Sequence, residues 1–162
     1  MNVCMRAPAG LRPRIIIFEE KLTESTLAYI AGILDGEGSL SLATGKRPGT
    51  FRIEISVGNL SEELLQWLKK HLGGFVRQDL HHPGNKKFWR WRITTHRALA
   101  VIKLVLPFLI VKRPQAELLL RFYDEIPRYV STHAHPVQLP LKEPLKSIFL
   151  SIKLLNAHKR SI

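Results

Sequence analysis

Hydrophobic positions change period along the chain and so set out an order of elements. Leu27, Ile30, Ala31 and Leu34 fall at i, i+3, i+4 and i+7, one apolar face of a helix. Thr23 is placed to cap it, and Glu24 lies in the first turn, where the helix dipole favours an acid. Gly36 and Gly38 are expected to end it. Residues 40–43 then suit a short strand, and residues 50–57 alternate cleanly. Phe51, Ile53, Ile55 and Val57 point one way; Arg52, Glu54 and Ser56 point the other. Ser61 caps a second helix with Leu64, Leu65, Trp67, Leu68 and Leu72 inward, and Gly73 and Gly74 stop it.

A second strand pair follows at residues 75–81 and 88–95, with Trp89, Trp91 and Ile93 on the core face and Arg90, Arg92 and Thr94 opposite. A third helix is expected over residues 96–106, and Pro114 opens a fourth at its first turn, running to about residue 125. Residues 1–22 read as an N-terminal arm interrupted by Pro8, Gly10 and Pro13, and residues 23–127 as the core. Residues 128–162 form a looser tail that closes in a basic amphipathic helix over residues 145–157. Helix, hairpin, helix, hairpin, helices is an α+β order, with helices packed on one face of an antiparallel sheet. The face left open carries Arg52, Arg77, Arg90 and Arg92.

Charge gives that open face a meaning. The 162 residues hold 25 Lys+Arg against 13 Asp+Glu, a formal charge of +12, and the pI is near 10.3. Such an excess attracts polyanions, nucleic acid first among them. The apolar fraction of 45% is that of a folded chain. Cys4, the single cysteine, cannot form an internal disulfide or a thiolate zinc cluster. No apolar run is long enough to cross a membrane, since residues 104–111 are broken by Pro107. The basic N-terminus lacks the apolar stretch of a signal peptide, so a soluble intracellular protein is expected.

Residues 27–39, LAYIAGILDGEGS, carry the unusual chemistry. Ala28, Gly32 and Gly36 recur every four residues, leaving one stripe of the helix almost without side chains. Each interior glycine costs about 1 kcal/mol relative to alanine, which is understandable if another backbone comes close. That backbone belongs either to this chain or to a second copy, in which case the assembly is a two-fold dimer. Asp35 and Glu37 stand at the helix C-terminus, the wrong end for carboxylates, and a bound divalent cation would resolve the conflict.

This segment resembles the LAGLIDADG motif of homing endonucleases, over thirteen consecutive positions. The order of elements extends the likeness over roughly residues 23–125. The resemblance implies an αββαββα fold with a saddle-shaped antiparallel sheet, and, since one motif is present, a homodimer. It also implies residue roles. Glu37 is the metal ligand, the Gly36 carbonyl a backbone ligand beside it, and Asp35 a more structural acid. Lys112, after Pro107-Phe108-Leu109, is the lysine supporting catalysis, and Asn59 orders the attacking water. The basic residue often found a few positions after Asn59 has no counterpart, because Glu62 and Glu63 lie there.

The activity implied is hydrolysis of double-stranded DNA at a long, nearly palindromic site with 3′ overhangs, associated with an intron or intein. Magnesium (Mg²⁺) is the expected cofactor, with manganese (Mn²⁺) as a substitute and calcium (Ca²⁺) supporting binding without cleavage. Arg52, Glu54, Ser56, Arg77, Arg90 and Arg92 are expected to read base edges in the major groove. Lys46, Arg47, Lys86 and Lys87 at the hairpin tips, with Lys142, Lys146 and Lys153, would hold phosphates. Two rival functions stay open: an RNA maturase assisting intron splicing, or a DNA-binding regulator without catalysis. A histidine metal site from His81, His82, His96, His133 and His135 has no zinc-type spacing to support it.

Overall fold

A computed structural model describes residues 2–5, 14–18, 22–44, 51–80, 87–125, 141 and 143–157. A hairpin of β1 (Asn2–Met5) and β2 (Arg14–Ile17) precedes α1 (Glu24–Glu37), β3 (Gly38–Thr44) and β4 (Phe51–Asn59). Then come α2 (Glu62–Leu72), β5 (Phe75–Gln78), β6 (Trp89–Thr94) and α3 (Thr95–Val105). A single 3₁₀ turn, Leu106–Phe108, leads to α4 (Arg113–Glu125), and α5 (Leu145–Ala157) ends the described chain.

The four main strands form one antiparallel sheet in the order β3-β4-β6-β5. Leu40, Ile53, Ile55, Val57, Trp91 and Ile93 are buried on one face, where α1, α2 and α3 pack. The outward positions of β4 and β6 include Arg52, Glu54, Arg90 and Arg92, all at least partly solvent-accessible. An α+β architecture with helices on one face of an antiparallel sheet is therefore what the alternation encodes.

Local signals act largely as expected. The Thr23 hydroxyl accepts from the Thr26 N–H and the Ser61 hydroxyl from the Leu64 N–H. Leu27, Ile30, Ala31 and Leu34 are all buried. The Gly73 N–H caps α2 on the Lys69 carbonyl at φ +71, and Gly74 follows at φ +94. These two positive angles suit glycine and let the chain reverse at once into β5. Leu64 and Trp67 are only half-buried, and Trp67 meets Tyr29 edge-on at 5.3 Å.

Four differences have physical reasons. Gly36 does not end α1; the helix runs through Glu37 and is capped by Gly38, whose N–H donates to the Ile33 and Leu34 carbonyls. A Cβ on Gly38 would lie 2.6 Å from the Leu34 carbonyl oxygen, so close packing demands glycine there. Segment 1–22, expected as an arm, contains the β1–β2 hairpin, and it leads into Phe18 and Leu22, which are buried in the core. The tail helix α5 is docked: Leu145, Ile148 and Ile152 are buried and Phe149 meets Phe51 edge-on at 5.6 Å. Ser56 has the outward parity of β4 yet is only 9% exposed, because this short side chain sits mid-sheet between Ser39 and the long Arg92. No helix among the described residues is long and apolar enough to cross a membrane.

Candidate active site

The C-terminal turn of α1 carries both acids, and two other parts of the chain are folded against it. The first is the loop between the 3₁₀ turn and α4. The Asp35 carboxylate accepts the Ile110 N–H at 2.7 Å and the Lys112 N–H at 2.8 Å. The Lys112 ammonium, 1% exposed, donates back to the Asp35 carbonyl. Partial burial works against ionisation of Asp35. The backbone donors Ile110, Lys112 and Val111 and the Lys112 charge outweigh it and hold the carboxyl below its usual value of 3.8. Asp35 is thus occupied in tying the loop to the helix.

The second is the end of β4. Asn59 Nδ2 donates to Glu37 Oε2, while Asn59 Oδ1 accepts the Ser61 N–H at 2.8 Å. One side chain therefore orients the Glu37 carboxylate and helps start α2. Glu37 itself is exposed. The four residues singled out by sequence, Asp35, Glu37, Asn59 and Lys112, meet at one helix end, and the Gly36 backbone lies between the two acids.

Along α1, Ala28, Gly32 and Gly36 are all exposed. A Cβ built on Gly32 or Gly36 would find nothing within 4 Å, so no close contact inside the described chain explains either glycine. Tyr29, 55% exposed, borders the same stripe.

On the open sheet face, Glu54 lies between two arginines, 3.7 Å from Arg52 and 3.6 Å from Arg92. Arg90 donates to Asp79 through Nε at 3.2 Å and Nη2 at 2.8 Å, and Arg77 stands exposed opposite it in register. Lys87 is exposed, as are Lys146 and Lys153 on α5, whereas Lys46, Arg47, Lys86 and Lys142 lie outside the described residues. Sequence reasoning passed over Asp79, which fixes Arg90, and Phe75, 78% exposed on the edge strand. The alternation of Phe75 with Val76, which gives Phe75 the outward parity of its strand, was the signal for the latter.

Among the described residues no three His, Cys, Asp or Glu side chains gather as a metal site. His81, His82, His133 and His135 fall outside the described residues, and His96 bonds Tyr123 Oη at 3.2 Å. The donors present at the α1 end are one exposed carboxylate and nearby backbone carbonyls. That set fits Mg²⁺, which takes oxygen ligands from one or two carboxylates and keeps water and phosphate for the rest.

Several solved structures that share this fold are homing endonucleases. The chain is similar to the homing endonuclease I-CvuI in complex with its target in the presence of calcium, at 20% identity and a TM-score of 0.61, over 81% of this chain and 82% of that one. It is similar to the archaeal intron-encoded homing endonuclease I-Vdi141I complexed with DNA, at 16% identity and a TM-score of 0.55, over 83% and 98% of the two chains. The LAGLIDADG meganuclease I-AabMI bound to uncleaved DNA aligns at 18% identity and a TM-score of 0.56, over 84% of this chain but 50% of that one. No protein-family model and no curated protein matches the sequence. The chain has the LAGLIDADG homing-endonuclease fold.

Proposed function

We propose that this protein is a site-specific, divalent-metal-dependent DNA endonuclease that works as a homodimer. The observation that carries the proposal is the exposed Glu37 carboxylate, oriented by Asn59 and standing at the end of a helix stripe that no described residue covers. A second copy of α1 on Ala28, Gly32 and Gly36 would bring two Glu37 carboxylates to one axis. The half-length coverage of I-AabMI agrees with a chain that supplies one of two equivalent halves.

Glu37 and the Gly36 carbonyl would hold Mg²⁺ or Mn²⁺, whose contribution when bound is to lower the pKa of water and to neutralise charge at the phosphate. Asn59 keeps Glu37 in one orientation and offers its amide to water at the scissile phosphate. Lys112 places a buried positive charge beneath the helix end, which offsets the partial negative charge of the last carbonyls. In the reaction, water adds to phosphorus, the P–O3′ bond breaks, and a 5′ phosphate and a 3′ hydroxyl remain. Two such sites across the minor groove would leave 3′ overhangs, on a nearly palindromic target tied to an intron or intein. The open sheet face, with Arg52, Glu54, Arg77, Arg90 and Arg92, suits the major groove of each half-site.

The test is cleavage of a randomised duplex library in Mg²⁺, with the new ends sequenced. Wild type should cut a two-fold related site, and Glu37→Gln should bind that site in Ca²⁺ without cutting it in Mg²⁺. Equal cutting by the variant would remove Glu37 from the site. Binding to duplex without any cutting would favour a regulator, and preference for structured RNA a maturase.

A further inference from the structure

Phe75 breaks the polar pattern of the open face. It lies on the edge strand, directly across from Arg92, while Val76 pairs with the buried Trp91 on the other side. Cross-strand partners stand about 5 Å apart at Cβ, so the two side chains leave the sheet side by side. Beside them is a recess lined by Arg52, Gly74, Phe75, Arg92 and Arg97. Its cations are set in place: Arg52 and Arg92 flank Glu54, and Arg97 donates to the Leu72 carbonyl at 3.1 Å. A Cβ on Gly74 would lie 2.3 Å from the buried Ile93 Cγ2, so the chain passes tight against the core just before Phe75.

We infer that Phe75 reads a thymine in each half-site of the target, by apolar contact with its C5 methyl, next to a base pair read by Arg92. The inference rests on the endonuclease reading above. Arg52, Arg92 and Arg97 against the single Glu54 leave the recess net positive, which favours the anionic duplex over an apolar protein surface as its occupant. Within the major groove the thymine methyl is the apolar group that a phenyl ring can recognise, and Arg beside it suits guanine O6 and N7. Phe75 lies in β5, paired in register with β6, so its backbone is already placed on the open face.

The probe is the duplex selected from a randomised library by the full-length protein in Ca²⁺. Thymines in it are replaced by uracil one at a time, which removes only the methyl. Wild type should lose about fourfold in affinity at one thymine per half-site, the equivalent of about 0.8 kcal/mol for one buried methyl. Phe75→Ala, which removes a solvent-exposed ring and should keep the wild-type melting temperature, should be insensitive to uracil there and unchanged elsewhere. Identical uracil profiles for the two proteins, a uniform loss across all positions, or no thymine in the selected half-site would each overturn this inference alone. Failure to select any duplex would overturn the endonuclease reading and this inference with it.

Discussion

Asp35 and Lys112 hold each other crosswise: the Asp35 side chain accepts from the Lys112 backbone, and the Lys112 side chain donates to the Asp35 backbone. The pair fixes the loop before α4 against the last turn of α1. A charged hydrogen bond of this kind contributes about 2 kcal/mol, and Glu37 stands two residues away on the same turn. Asp35 therefore anchors the turn on which Glu37 stands.

The crosswise pair should give stability a dependence on acid. The Asp35 carboxyl is held below its usual 3.8, so the unfolded chain binds its proton first as pH falls. Its contribution is fully present above about pH 4 to 5 and is lost as pH drops through the lowered folded value. Asp35→Asn should melt earlier than wild type at pH 7, and the gap should shrink towards pH 2. Urea unfolding at a series of pH values measures this; a constant gap would mean that the charge does not contribute.

Gly32→Leu should separate folding from assembly. Because a Cβ at Gly32 meets nothing within 4 Å, the monomer should fold, with helix propensity improved by up to about 1 kcal/mol. A bulky side chain on the stripe should prevent a second α1 from approaching. Sedimentation should show monomer for the variant and dimer for wild type, and cleavage should fall at least a hundredfold, roughly the loss of 3 kcal/mol of assembly.

Gly74→Ala should destabilise the fold by about 2 to 3 kcal/mol, through strain at φ +94 and overlap with Ile93 Cγ2 and the Arg92 carbonyl. Thermal unfolding reads the loss. An unchanged melting temperature would mean that the turn after α2 relaxes freely.

With the sheet docked in the major groove as proposed, strand register would set an order for base reading. From the Asn59 end outward, β4 and its neighbours present Gly58 with Arg90 and Arg77, then Ser56 with Arg92 and Phe75, then Glu54 with Thr94, then Arg52. Two strand residues advance about 6.6 Å, close to two base steps of about 3.4 Å. Arg77→Ala and Arg90→Ala should relax base preference nearest the cut, and Arg52→Ala farthest from it. Library selection with each variant maps the positions; a scrambled order would exclude this docking direction.

Periodicity made α1, both hairpins, α2 and α5 legible, since each buries a face whose spacing repeats within one element. The α1 end was legible because aliphatic spacing, glycines and acids coincide in one segment. The crosswise pair was not. Asp35 and Lys112 are 77 residues apart, and nothing in the spacing near Lys112 signals that its ammonium will meet a carbonyl. The parity of Ser56 marked it as outward, but its cover comes from side chains of neighbouring strands, which parity does not describe. The β1–β2 hairpin escaped because Pro8 and Pro13 signal a break without saying that the flanks will pair.

A two-fold assembly on the bare stripe of α1 would make every contact of the sheet count twice. In a two-fold assembly one substitution alters both half-sites, so energies double and fold-changes are squared: a tenfold loss at Arg92 becomes about a hundredfold for the pair. Selectivity would thereby be sharpened with few residues, and drift towards a new target slowed, because a single change would have to suit two places at once. Joining two copies into one chain would release that constraint and let each half follow its own sequence.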